Sequence, residues 1–184
     1  YGVPEGDIPD AQIDSLITDL PALTYEAQRD LLKVFEARRA LPRLIKMLHV
    51  RARAGKIGQD EATSLAEAVA RNADLLPRER GPMVMVDTMS QGGMLIAELL
   101  KRVELERRVE VAENLVRVAE PVSFAMECLR WSQHYPDRPE ERTVLVAGSE
   151  VRLKTILAQR IATANEDVPL FIRYPKDAPN LYWM

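Results

Sequence analysis

The chain has 184 residues, 47% of them apolar and 29% charged, with 25 Lys/Arg against 28 Asp/Glu and a formal net charge of -3. That length suits one domain with a sizeable core, and the balance is that of a globular rather than a disordered chain. An acidic chain is not a dedicated nucleic-acid binder as a whole, although a local basic patch sets its own surface field.

Aromatic residues make up only 5%, while leucine, alanine, valine, glutamate and arginine are abundant, which favours helices packed on helices. Cys128 is the only cysteine, so neither an intrachain disulfide nor a cysteine-based zinc cluster can form, and a reducing, cytoplasmic setting is expected. No apolar run approaches the roughly eighteen residues that a membrane span needs.

Residues 1–9 carry two prolines and two glycines and are expected to be extended or poorly ordered. From residue 10 to 184 the sequence reads as one helical domain, with a sub-boundary near 77–82. Asp10 is placed to cap a helix through Leu20, with Ile13, Leu16, Ile17 and Leu20 at helical spacing, and Pro21 ends it. Thr24 offers the next N-cap, with Glu26 in the first turn, and the helix to about Arg38 is expected to bury Leu31, Leu32, Val34 and Phe35.

Residues 38–56 have the most distinct electrostatic identity: seven Lys/Arg and no acid. Pro42 starts this helix and Gly55 stops it. At about 100° per residue, Leu41, Leu44, Ile45, Leu48 and Ala52 share one face, and Arg39, Arg43, Lys46 and Arg53 fall within roughly 80° of each other on the opposite one.

Asp60 opens a helix through Leu76 with Leu65, Ala66, Val69, Ala73 and Leu76 inward, and Pro77 breaks the chain after it. Residues 83–89, MVMVDTM, read as a short strand or an apolar lead-in. Ser90 can cap a helix carrying Met94, Leu95, Leu99 and Val103 on one side, weakened at its start by Gly92 and Gly93. Between Glu104 and Ala119 a wide stripe of Leu105, Val109, Val111, Ala112, Leu115, Val116, Val118 and Ala119 marks another helix. Pro121 begins one with Phe124, Ala125, Cys128, Leu129 and Trp131 inward. Residues 135–139 form a loop, and Ser149 or Glu150 starts a last helix through Ala164 with Leu153, Ile156, Leu157 and Ile161 inward. The tail, with three prolines and several aromatics, is expected to lie as an extended strap. About eight antiparallel helices result, an all-α irregular bundle or short α-solenoid loosely like HEAT repeats, though no fixed period brings back the same residues.

Few residues offer chemistry. MVMVDTM places Asp87 after an apolar run, as the magnesium-binding acid of P-loop NTPases is placed, but no GxxxxGK[ST] is present to cradle phosphates, and a turn or capping role suits Asp87. Ser90-Gln91-Gly92-Gly93 allows an anion nest at a helix N-terminus or a close approach of two helices. Cys128 and His134 are six residues apart and point about 120° away from each other on one helix, so Cys128 reads as a small core residue rather than a nucleophile. No His/Asp/Glu spacing matches a metal site, and no cofactor is expected.

The runs Leu20-Pro21-Ala22-Leu23-Thr24-Tyr25-Glu26-Ala27-Gln28, Leu31-Leu32, Arg38-Arg39-Ala40-Leu41, Glu120-Pro121-Val122-Ser123-Phe124-Ala125-Met126-Glu127-Cys128-Leu129 and Leu181-Tyr182-Trp183 together resemble the helical C-terminal region of bacterial KAP-type P-loop NTPases. That family includes membrane-associated signalling proteins and a plasmid-encoded phage-exclusion protein. Its defining Walker motifs are absent here, so no functional residue carries over. The resemblance implies a fragment of a longer ATPase, its sensor or regulatory part, with a place in antiphage defence.

The expectation is therefore a non-enzymatic interaction or regulatory module that binds a protein partner or another domain of its own polypeptide, with the basic face of residues 39–53 and the aromatic tail as contact surfaces. The basic face has two other readings. It is a solvated face paired with neighbouring acids, or it holds Arg39, Arg43, Lys46 and Arg53 against nucleic-acid phosphates or an anionic lipid surface. Against the last stand the missing interleaved aromatics for base stacking and the missing aromatic wedge for a membrane.

Overall fold

The computed structural model describes residues 8–76, 91–133 and 150–164, with side chains described to residue 129 in the second stretch and from residue 151 in the third. Among them are eight α-helices and one short 3-10 turn, and no strand. The expectations for residues 1–7, for Pro77 and the 77–82 boundary, for MVMVDTM with Asp87, for the Ser90 cap, for the 135–139 loop, for His134 and for the aromatic tail lie outside the described residues, as does the side chain of Trp131.

Helix α1 (Asp10–Asp19) starts one residue earlier than a cap at Asp10 would give: Pro9 holds the cap position and its carbonyl receives the amides of Gln12 and Ile13. Pro21 does not stop the chain abruptly. It sits in a 3-10 turn, Leu20–Ala22, where its missing N–H costs nothing, because the first amides of a helical turn have no partner. Thr24 caps α2 (Tyr25–Ala37) as expected, its hydroxyl accepting from the Ala27 amide at 3.4 Å. Helix α3 (Leu41–Arg53) carries proline in its first turn and ends at Gly55, whose φ of 69° is the left-handed cap. Helix α4 (Gln59–Arg71) is capped by Gly58 rather than by Asp60. Glu61 Oε2 reaches back to the Gly58 amide at 3.3 Å, and the helix stops five residues before Leu76.

The remaining helices are α5 (Gln91–Leu100), α6 (Leu105–Val118), α7 (Val122–Gln133) and α8 (Glu150–Thr163). Their principal contacts make two rows. Helix α3 touches α1 and α5, and α5 touches α7, while α4 touches α6 and α6 touches α8; α4–α5, α6–α7 and α7–α8 then join the rows. This is the stacking of an irregular bundle or short α-solenoid, tied together by hydrogen bonds between residues 33 to 50 apart in sequence. Gln59 to Glu104 and Arg53 to Glu98 are 45 residues apart, and Asp60 to Arg107 and Glu67 to Asn114 are 47 apart. These four bonds link α3 and α4 to α5 and α6, and no repeated residue pattern accompanies them.

Burial explains the rows. The expected inner face of α3, Leu41, Leu44, Ile45, Leu48 and Ala52, is buried without exception, each large side chain adding about 1.5–3 kcal/mol. Helix α5 is buried all round, from Leu95 to Leu100. Gly92 lets it approach closely: a Cβ there would lie 2.5 Å from Leu76 Cδ1 and 3.3 Å from Phe124 Cζ. Close approach therefore explains this glycine. Two expected core residues are surface residues instead, Val34 on α2 and Leu105 on α6. At the far end Arg160 of α8 donates to the carbonyls of Val116 at 3.0 Å and Ala119 at 2.6 Å, and its Nη2 to the Glu120 carboxylate at 2.9 Å. It thereby caps the C-terminus of α6 from a neighbouring helix.

Candidate functional site

The outer surface of α3 resolves into three stripes, because residues four apart stack on a helix. The first faces α1. Arg43 pairs with Asp10, and Arg51 Nη2 lies 2.8 Å from Asp14 Oδ2 while its Nη1 reaches the Thr18 hydroxyl at 3.4 Å. Asp10, Asp14 and Thr18 are themselves four apart, so one edge of α1 supplies the whole set of partners.

The second stripe, His49 and Arg53, faces α5. Glu98 is only 4% exposed, and a carboxylate so placed requires cations around it. Lys101 Nζ stands 3.2 Å from its Oε1 and Arg53 Nε 3.4 Å. His49 Nε2 is buried without a hydrogen-bond partner. Burial holds its imidazole below the usual histidine range, with Arg53 and Lys101 pushing the same way and Glu98 opposing.

The third stripe, Lys46 and Val50, faces solvent. It borders an open groove of about 830 Å³ between α1 and α3, whose floor includes half-buried Met47 and whose far end is formed by Lys56 and Glu61. No acid among the described residues lies within ion-pair distance of Lys46 or Lys56. Val50 stays 59% exposed.

The four cations expected to share one surface are thus divided. Arg43 and Lys46 line one groove, Arg53 turns to Glu98, and Arg39 is not part of α3 at all. Arg39 is exposed and adopts φ 55° in the cap of α2, where the Ala40 amide bonds the Phe35 carbonyl at 2.8 Å. The turn at Arg39 breaks the helical phase between α2 and α3, so Arg39 does not share the angular position of Arg43 and Lys46. Arg51, Lys56, Met47 and Val50 were not singled out as site residues, although the four-residue spacing of Asp10 and Asp14 was a legible sign of an acidic edge.

A second ion-pair junction lies away from the groove. Arg29 of α2 donates to Asp74 Oδ1 at 3.0 Å and Oδ2 at 2.7 Å and to Asn72 at 3.2 Å, which holds the Asp74 carboxyl below its ordinary range. Glu113 of α6, also buried, has Arg152 Nε at 2.8 Å, a distance for an ion pair but without the alignment of a hydrogen bond.

Cys128 is fully buried, and burial pushes its thiol far up, away from the reactive thiolate. Among the described residues no group of three or more His, Cys, Asp or Glu is disposed to hold a metal ion, and no helix is long and apolar enough to cross a membrane. Comparison with protein-family models, with curated proteins and with solved structures finds no match for this chain.

Proposed function

We propose that this chain is a non-enzymatic helical interaction module, working in a cytoplasmic setting as the regulatory C-terminal part of a larger bacterial KAP-type P-loop ATPase in antiphage defence. It binds a protein partner or another domain of its own polypeptide through the outer face of α3. The ATPase context rests on the leucine-rich helical runs and the Pro121 helix noted in the sequence. The contact surface rests on one observation: Lys46 is an exposed cation with no acid among the described residues within ion-pair distance, beside a groove, on a helix whose other cations at 43, 51 and 53 are engaged.

A nucleic-acid reading finds less support, since Arg43 and Arg53 already meet carboxylates within the chain. Titrating the protein against duplex and single-stranded DNA at low salt separates the two readings. Phosphate binding weakens steeply as salt rises, in proportion to the charges neutralised. Binding of that kind would replace the protein-partner reading.

The positive test measures binding between this chain and the ATPase portion encoded upstream, expected to fall at least tenfold in Lys46→Glu. An upstream coding sequence without a Walker A motif would remove the ATPase context. A complex indifferent to Lys46→Glu would remove α3 as its surface.

A further inference from the structure

We infer that the groove between α1 and α3 takes a short acidic, amphipathic peptide segment, with carboxylates on Lys46 and Lys56 and an apolar side chain on Met47 and Val50. The inference rests on the interaction-module reading and gives its partner a chemistry.

The charges in the groove carry the argument. Four cations, Arg43, Lys46, Arg51 and Lys56, face three acids, Asp10, Asp14 and Glu61. The Arg43–Asp10 and Arg51–Asp14 pairs cancel within the wall, and one oxygen of Glu61 already receives the Gly58 amide. Since Glu61 keeps its charge, what remains is an excess of one positive charge, carried by the two flexible amines of Lys46 and Lys56. In a chain of net charge -3, this is a local field of opposite sign, which attracts acidic segments and disfavours basic ones.

The floor is apolar. Val50 is an exposed β-branched residue in the last turn of the helix, one turn on from Met47, whose unbranched thioether adapts to varied side chains. Apolar anchors between flanking charges are the arrangement by which an amphipathic helix is held in a groove. By helical rise Lys46 lies about 10 Å from the end of α3 at Arg53, and Lys56 follows three residues later beyond the Gly55 cap, a span that three to four helical turns of a peptide cover. The ion pairs along the α1 edge contribute by fixing Arg43 and Arg51, so that the wall is formed before the peptide arrives.

The test titrates the isotope-labelled protein with a synthetic peptide about 14 residues long that carries one leucine stripe flanked by glutamates. Amide shifts confined to α1, α3 and residues near Lys56 are expected. Affinity should fall at least tenfold in a Lys46→Glu/Lys56→Glu variant and hold in Arg38→Glu, an exposed charge outside the groove. A matching peptide with lysine in place of glutamate should regain binding to the double variant, an outcome that a merely structural effect of the substitutions cannot give.

Equal binding of a glutamine-for-glutamate peptide, shifts on other helices, or no shift at near-millimolar peptide overturns the inference. If the peptide fails while the ATPase portion still binds, only the groove inference falls. If neither binds, the interaction reading falls with it.

Discussion

Helices α3 and α5 are neighbours in one row and both enter the core, yet they handle charge in opposite ways. Helix α5 has a single ionisable group within its contact surface, Glu98, set among Leu95, Ile96, Ala97, Leu99 and Leu100, all of them buried. Helix α3 keeps its cations outward and meets exposed acids on α1. The chemistry of the pairs is the same, and their energetic weight is not. An exposed pair is worth about 0–1 kcal/mol, whereas removing one partner of a buried pair costs about 3–5 kcal/mol, because the other charge is left without water or counter-charge. The α5 pairing is thus a constraint on the fold, and the outer face of α3 is a surface that can serve recognition at little cost to stability.

The largest effect that tests this contrast is at Lys101, whose side chain is itself mostly covered. Lys101→Met leaves Glu98 with Arg53 as its counter-charge, at 3.4 Å, and should lower the unfolding free energy by about 2 kcal/mol in urea titration, less than for a carboxylate left wholly unpaired. Adding Glu98→Leu should restore most of it, since a well-packed apolar replacement of a buried pair is near neutral. A double variant as unstable as the single one would show that the loss comes from packing around Lys101 and not from a stranded carboxylate.

A smaller change of opposite sign is expected at Arg39. Its positive φ strains an L-residue by about 1–2 kcal/mol, part of which glycine returns through a more disordered unfolded chain. Arg39→Gly should therefore raise the urea midpoint, by a net stabilisation of about 0.5–1 kcal/mol. A lower midpoint would mean that the arginine side chain contributes something to the turn that outweighs the strain.

Between the two helices lies His49, and its expected effect is one of direction. Burial lowers its folded pKa below the unfolded value near 6.5, so the unfolded chain holds more protons in the window between the two. The stability that His49 contributes is fully present above about pH 6.5 and is lost as the pH falls through that window. Unfolding curves between neutral and mildly acidic pH should show a steeper decline for the native chain than for His49→Gln. The variant retains Glu98, Arg53 and Lys101, the charged groups around the imidazole, and identical slopes would remove His49 as the source.

Much of the fold was legible because helices write their burial into spacing. The five inner residues of α3, the Thr24 cap and the Gly55 stop are local facts, set by residues within one or two turns. The row arrangement was not legible, because it depends on contacts between residues 33 to 50 apart that no repeated residue marks. Glu98 shows the same limit within one helix. In MLIAELL it looks like the polar edge of an apolar stripe, and only packing by α3, α4 and α7 on several sides makes it buried. The basic surface was legible as composition and not as a site. Whether a cation is engaged depends on Asp10, Asp14 and Glu98, which belong to other helices, and Arg39 left the set because a turn interrupts the helical phase.

The finest test of the contrast is a double-mutant cycle on the exposed pair. Arg51 and Asp14 lie 2.8 Å apart with side chains 23% and 51% exposed, so water and salt screen much of their attraction. Comparing Arg51→Ala, Asp14→Ala and the double variant should give a coupling of roughly 0.5 kcal/mol. It should fade at about 1 M salt, where the screening length is near 3 Å. The Lys101–Glu98 cycle, shielded from solvent, should keep most of its larger coupling under the same salt. Should the two cycles respond alike, burial would not be what separates α3 from α5. The ion-paired edge of α3 would then be as bound to the fold as the core helix, which would leave Lys46 and Lys56 as the cations available for a partner.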